Sequence, residues 1–540
     1  MARRRRGLVR VKYGPFIGVR SQSQTTPYDP RYADTLLNCY PIDTEFGPVV
    51  VGRPGFAKMG SQIGTVSSRV GQRGYQYTQL DGDEATVAVC GGEIATYDWG
   101  GNAWTTKVTQ ANLTTAAAAL ATSGLVYSLT VADKMLLNDG TNTPILWDGT
   151  SGAGGITELT NTPSGGLFGK PWLYYGKLFG IRTSSRTTIV WSEEGDPTTG
   201  YLAGGYNNGW DLIQTDPNAL YAGVGLNEVM YLFRANSITA VSGAVAADFT
   251  TSGQREAVSE DVGCISPEAI TVKDGTVYFL GANRRLYRIR GGGLLEEVAK
   301  GARPVLDTLP RTYLPNAHAR PMPGTDLVLF FVAGLGSTSL NTMLAVDTRT
   351  GEYAGLFVGF AGTTLDVVKN ADGLATLMHL GGSASADVNE GYAYYHGRPD
   401  GSLWSDGFHD ATAAINHGLT CEPGGYDEAL EKAWERIDVT VTLRSQLSGL
   451  GVGYFTPRRG SAGTQTVATL AGGGTYLNDF LLDTDTLALD SVNERHAMVG
   501  IDGQGRWIAP TLSHATAGEQ FMVSTIVATG QAIDDQVEYY

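Results

Sequence analysis

Thr276-Val277-Tyr278-Phe279-Leu280, then Gly281-Ala282-Asn283, then Leu286-Tyr287-Arg288-Ile289, then Gly291-Gly292-Gly293: an apolar strand, a tight turn, a second strand and a glycine exit. Branched and aromatic side chains suit the pleated, half-buried surface of a sheet, while Gly and Asn supply the turn conformations that close a hairpin. Related cores begin at Val87, Met135, Leu178, Val229 and Leu327, and a less regular one at Tyr392. Successive starts among the first six lie roughly 43 to 51 residues apart, close to the period of a four-stranded blade. A single small sheet cannot bury both its faces, so neighbouring copies must cover them radially. A sandwich would instead show turns about every 8 to 12 residues without a longer period. The chain is therefore expected to be all-β, a six- or seven-bladed β-propeller.

Composition agrees. The chain has 540 residues, 72 of them glycine, and 42% are hydrophobic, which describes a folded, turn-rich β-protein with ample material for a core. No apolar run approaches the roughly 20 residues of a membrane-spanning helix, so no stable membrane insertion is expected. The start Arg3-Arg4-Arg5-Arg6 is followed by Gly7-Leu8-Val9-Arg10-Val11-Lys12, which lacks the uninterrupted apolar stretch of a secretory signal, and synthesis in the cytosol is expected. Cys39, Cys90, Cys264 and Cys421 form no CxxC pair, so buried free thiols are expected rather than a zinc site.

Charge is divided unevenly. Of the formal net charge of −15, residues 1–20 carry +7 and the remainder −22. A basic arm preceding an acidic body reads as an arm that docks on an acidic partner or touches nucleic acid, and equally as a solvated tail. The acidic body speaks against a groove that grips DNA, since phosphate binding needs clustered Lys and Arg.

Three segments emerge. Residues 1–60 do not follow the blade pattern and read as a basic arm with short extended pieces. Residues 61–410 carry the repeats. Residues 411–540 contain longer alternating strands, such as Lys432 to Leu443 and Phe521 to Val527, and read as a separate β-domain. Propellers are often entered and left on one face, so the N- and C-terminal segments are expected to build an additional β-rich platform together.

No catalytic pattern stands out. The seven histidines are scattered, and His409-Asp410 with His417 is their nearest approach to a cluster; hydrogen bonding explains it without a metal. Ser164-Gly165-Gly166-Leu167-Phe168-Gly169-Lys170-Pro171 imitates a phosphate loop but has Ser164 for the first glycine and Pro171 after the lysine. No GxSxG elbow occurs, and the Asp boxes of sialidase-like propellers are missing. No catalytic residue, metal or cofactor is assigned.

Several segments in order resemble the tail hub, or nozzle, proteins of short-tailed bacteriophages, also called packaged-DNA stabilisation proteins. These are Leu36-Leu37-Asn38-Cys39-Tyr40-Pro41 with Gly52-Arg53-Pro54-Gly55-Phe56; Ile189-Val190-Trp191-Ser192 ending in Asp196-Pro197; and Val229 to Ile238 followed by Gly263-Cys264-Ile265-Ser266-Pro267 and Val277 to Gly281. The positions that carry the likeness are Asn38, Arg53, Pro54, Gly55, Trp191, Ser192, Pro197, Gly263, Ser266 and Pro267. The resemblance implies a non-enzymatic virion protein, a homohexamer beneath an adaptor ring and the portal. It would extend the DNA channel, retain the packaged genome and conduct it at ejection, with tail fibres or spikes nearby. Genomic double-stranded DNA would pass without sequence-specific binding, and the protein would reside in the virion tail after assembly in the host cytoplasm. Arg3, Arg4, Arg5, Arg6, Arg10 and Lys12 are then candidates for adaptor contact, and loops at Ser151 to Gly155 and Gly381 to Glu390 are candidates for a gate. Deleting residues 1–20 should weaken docking more than folding. The alternatives are a virion-borne propeller adhesin or lectin, and a glycosidase.

Overall fold

The computed structural model describes residues 8–532 except 21–28, 45–46, 67–68, 160–166, 201–208, 213–216, 244–253, 383–389, 398–408, 411–412, 422, 424–431, 443–448, 457–460, 467–493 and 517–521. Within them, seven antiparallel sheets succeed one another along the chain. Their inner strands pack in a closed order. Gly71–Thr78 lies against Tyr127–Val131, that against Leu167–Tyr174, and that against Leu220–Leu226. The short 3-10 turn Pro267–Ala269 contacts Leu220–Leu226 and leads into Ile270–Lys273, which packs on His318–Pro321; Ala361–Lys369 follows and returns to Gly71–Thr78. This circuit is a β-propeller.

The quoted hairpin is the middle of the fifth sheet, Thr276–Leu280 paired with Leu286–Arg290. The cores read at Val87, Met135, Leu178, Val229 and Leu327 likewise fall in the second strands of their sheets. Tyr392 is displaced by one strand. It begins the third strand of the seventh sheet, Tyr392–His396, and the second strand is Ala375–Gly382. The fourth strand comes from the other end of the repeat region: Phe56–Lys58 pairs antiparallel with Tyr392–His396, with His396 opposite Phe56. A strand of the N-terminal segment thus closes the ring, so a boundary after residue 60 assigns it to the wrong side.

Apolar side chains fill the wedges between successive sheets. Tyr77, Val87, Met135 and Trp147 form one such cluster between sheets one and two; Trp172, Phe179, Trp191 and Met230 form another between three and four. Burying each large side chain stabilises the ring by roughly 1.5–3 kcal/mol, which is why the blades hold only in each other's company.

The chain's two ends share a sheet. Leu8–Tyr13 pairs with Met522–Ala532, which also pairs with Lys432–Thr442 and touches Gly47–Gly52; Glu494–Gly505 flanks Lys432–Thr442. This is the expected platform. A second connection runs through the sixth blade, whose four strands continue from Tyr353–Phe357 through Gly18–Val19, Tyr32–Leu37, His417–Cys421, Ala509–His514, Gly451–Phe455 and Ser461–Thr466 to make ten. All four cysteines are buried free thiols, and no helix among the described residues is long and apolar enough to cross a membrane.

Candidate functional site

The inner strands of a propeller point side chains at its axis, and here they bring charge together. Arg73 comes from the first blade, Lys170 from the third, His318 and Arg320 from the sixth, and Asp366 from the seventh; Glu268 sits on the turn before the fifth. Arg73 Nη1 lies 3.0 Å from Glu268 Oε2 and 3.4 Å from Asp366 Oδ1. Its Nε donates to Ser128 Oγ of the second blade at 2.7 Å. Arg320 Nη2 donates to Asp366 Oδ1 at 2.9 Å and also to Glu268, while its Nη1 donates to the Glu268 carbonyl at 3.2 Å. Lys170 Nζ is 3.6 Å from Glu268 Oε2, and its side chain, 29% exposed, is the most open of the group. The backbone N–H of Gly74 donates to Asp366 Oδ2 at 3.0 Å.

The environment fixes the charge states. Burial works against ionised Glu268, but Arg73, Lys170 and Arg320 overcome it and hold the carboxyl well below its usual range. Burial lowers Lys170 to about 8, partly offset by Glu268. Burial, reinforced by Arg320, lowers His318 to about 4, so it is neutral, and its Nδ1 accepts from the N–H of Leu365 at 3.4 Å. Three cations thus face two carboxylates.

Glu268, His318 and Asp366 offer ligand atoms within 4.8 Å of one another, and Glu268 Oε1 and His318 Nε2 are buried without a hydrogen-bond partner. The donor set nevertheless does not fit a cation. Both carboxylates already serve Arg73 and Arg320, and a metal ion would add charge to a centre with an excess of positive groups. The arrangement works as a clasp: ion pairs tie together the first, fifth, sixth and seventh blades across the axis.

None of these six residues was singled out by sequence reasoning as a site. Lys170 entered only through the failed phosphate loop, and Glu268 only beside Ser266-Pro267. A partial signal exists for Lys170, the one charge in the otherwise apolar strand Leu167–Tyr174; the strands of Arg73, Arg320 and Asp366 carry other polar residues.

The positions that carry the family likeness fall on joints of the fold. Asn38, in the left-handed conformation at φ 53°, accepts at Oδ1 from Arg53 Nε at 3.0 Å and from the N–H of Val358 at 2.8 Å, and donates to Asn416 O at 2.9 Å. Buried Arg53 also donates to Val358 O at 2.8 Å and to Pro54 O at 3.1 Å, and Gly55 O receives the N–H of Gly397 at 2.9 Å. These contacts steer the chain from the platform into the closing strand. Trp191 stacks on Phe179 within the core, Ser192 Oγ accepts from Leu178 N at 3.0 Å, and Pro197 lies in the next strand, Asp196–Gly200. At Gly263 a Cβ would meet Arg234 O at 1.9 Å, so only glycine fits. Ser266 Oγ donates to Ala317 O at 2.7 Å, and Pro267 opens the turn that delivers Glu268.

Of the basic arm, Arg3 to Arg6 lie outside the described residues. Arg10 and Lys12 project to the exposed face of Leu8–Tyr13, whose other face is buried. Tyr13 is fully buried and its hydroxyl donates to Ile508 O at 2.6 Å, and Phe16 is also core. Deleting residues 1–20 would therefore also remove Val11, Tyr13 and Phe16 from the core. Of the two candidate gates, Ser151 to Gly155 holds a short 3-10 turn, Ala153–Gly155, and most of Gly381 to Glu390 lies outside the described residues.

No family model matches the chain, and neither does any curated protein sequence. Similar solved structures include the WD40 β-propeller domain of Doa1, at 9% identity over 64% of this chain and 97% of that one with a TM-score of 0.38. BBS1N in complex with ARL6DN gives 8% identity over 64% and 98%, with a TM-score of 0.39. The N-terminal domain of Nup159 gives 11% over 68% and 99%, with a TM-score of 0.36. These likenesses concern fold and carry nothing about activity or partners.

Proposed function

We propose that the protein is a non-catalytic wall element of a viral tail, a hub or nozzle subunit that assembles as a homohexamer and surrounds the path of a packaged genome. The motif series from Asn38 to Pro267 motivates this reading. The observation that carries it is the continuous sheet joining the sixth blade to the N- and C-terminal segments. A hydrogen-bonded ladder across that junction resists hinging, as a pressurised conduit requires, whereas an enzyme needs an open, chemically equipped cleft. The axial ion pairs support the same reading: the propeller axis of one subunit is closed by Arg73, Glu268, Arg320 and Asp366. In this assignment DNA passes between subunits and not through a blade ring. The excess of acidic over basic residues, 54 against 39, would repel phosphates over about 8 Å at physiological ionic strength.

Arg10 and Lys12, exposed on the platform edge strand, are the described residues proposed to meet an acidic adaptor ring. Native mass spectrometry of the purified chain, alone and mixed with candidate portal and adaptor proteins from the same source, tests the assignment. A six-chain ring or a stoichiometric complex is expected. A monomer that joins neither partner and is absent from viral particles would overturn it.

A further inference from the structure

We infer that the mouth of the propeller axis is a binding site for a small, uncharged, hydroxyl-rich ligand, the chemistry of a neutral monosaccharide or disaccharide unit. A cavity of about 280 Å³ opens where four inner strands begin: Gly71 starts the first blade, Leu125 precedes the second, Asn316 precedes the sixth and Gly362 lies at the start of the seventh. Its walls therefore come from four blades: the strand starts at Gly71 and Gly362, the segments that lead into two further inner strands, and Thr338 to Leu340 between two strands of the sixth blade. The volume stands near the lower bound of about 300 Å³ for small-molecule sites, enough for one or two sugar rings.

The lining selects the ligand class. It contains no Asp, Glu, Lys, Arg or His, in a chain with 54 acidic and 39 basic residues. A phosphate, carboxylate or cation would enter without a counter-charge, which its desolvation requires. A purely apolar guest is also disfavoured, because Tyr313, Asn316, Thr338, Ser339 and Thr363 present hydroxyl or amide groups beside Leu125 and Leu340. Thr363 Oγ1 is held by the carbonyl of Leu380 at 3.3 Å. The side chains of Tyr313, Asn316 and Thr338 make no hydrogen bond to the described residues, so their donors and acceptors remain for a ligand. One aromatic face, aliphatic patches and neutral hydrogen-bonding groups are the complement of a sugar, which has polar edges and apolar C–H faces.

The site is independent of the assembly proposed above. Saturation-transfer NMR on the full chain, with methyl glucoside, methyl galactoside and N-acetylglucosamine as probes and glucose 6-phosphate as the charged comparison, tests it. At least one neutral sugar should give a saturable signal that weakens about tenfold in the Asn316→Ala/Thr338→Val double variant, the scale of two neutral hydrogen bonds. Both side chains are exposed, so an unchanged melting temperature checks that the variant folds. No signal from any of the three neutral sugars, or equal binding by the variant, would sink the assignment. Tighter binding of glucose 6-phosphate than of methyl glucoside, lost in the same variant, would overturn its neutral character.

Discussion

Asp366 shows how much one residue holds. It receives Arg73, Arg320 and the Gly74 N–H in a place without solvent. Converting it to Asn keeps the shape and removes the charge, which leaves three cations facing Glu268 alone. Loss of one partner from a buried network costs about 3–5 kcal/mol, so urea unfolding of Asp366→Asn should show a deficit of about 3 kcal/mol or more. Arg303, paired with Glu297 at the surface, provides the contrast; Arg303→Ala should cost less than about 1 kcal/mol. Equal costs would remove the axial clasp from the account of stability. His318 adds a pH signature. Its value of about 4 lies below the 6.5 of an unperturbed histidine, so the unfolded chain binds a proton first as pH falls. Stability should be complete above about pH 6.5 and decline towards pH 4, by roughly 3 kcal/mol for this residue at about 1.4 kcal/mol per unit. Glu268, held below its usual range, contributes stability that is lost only at lower pH. His318→Gln, which still offers an acceptor to the Leu365 N–H, should flatten the slope of unfolding free energy between pH 6.5 and 4. A slope identical to the parent protein would contradict the buried neutral imidazole.

At the scale of the element, the closing strand is the most exacting piece. Phe56–Lys58 has three residues, yet Phe56 is buried against Phe360, His379 and Tyr394 in edge-to-face contacts. Phe56→Ala removes that ring from the core shared by the sixth and seventh blades and the N-terminal segment, and core Phe truncations cost about 3–5 kcal/mol. Thermal denaturation followed by near-ultraviolet dichroism should place its midpoint well below that of Val9→Ala, a change of a half-buried side chain on the platform edge. The same element marks where the sequence stops being readable. Second strands of six blades were legible because each is an apolar run bounded by Gly, Asn or Asp turns. The seventh slipped because Ala375–Gly382 carries His379 inside the run and ends on two glycines, so its apolar signal was weaker than that of Tyr392–His396. Its fourth strand lies more than 300 residues upstream, where no period can reveal it. The axial clasp failed to appear for a related reason. Its members are scattered from Arg73 to Asp366, and convergence at an axis is a property of the closed ring; only Lys170 stood out as a charge in an otherwise apolar strand. Of the residues read as a basic arm, Arg10 and Lys12 alternate with Val11 and Tyr13, which is itself the pattern of a half-buried strand.

Over the whole molecule the decisive question is whether propeller and platform are one cooperative body. A single apolar core runs through both: Val11 and Tyr13 from the first strand, Trp434, Ile437 and Val439 from the platform, and Phe233, Phe279, Val328 and Leu344 from the fourth to sixth blades belong to one contiguous cluster. The ten-stranded sheet crosses the same junction with backbone hydrogen bonds. Domains joined by a small polar interface melt separately, whereas a shared core makes partial unfolding expose apolar surface on both sides. Calorimetry should therefore give one main transition that contains the platform and these blades. Trp434 is almost fully buried, and Trp434→Ala, at about 3–5 kcal/mol, should lower that transition as a unit, visible both in platform amides and in the blade aromatics. The alternative outcome is distinct: a new low-temperature transition confined to the platform, with the propeller melting where it did before. That result would make the junction a hinge and remove the rigidity on which the proposed role as a conduit wall rests.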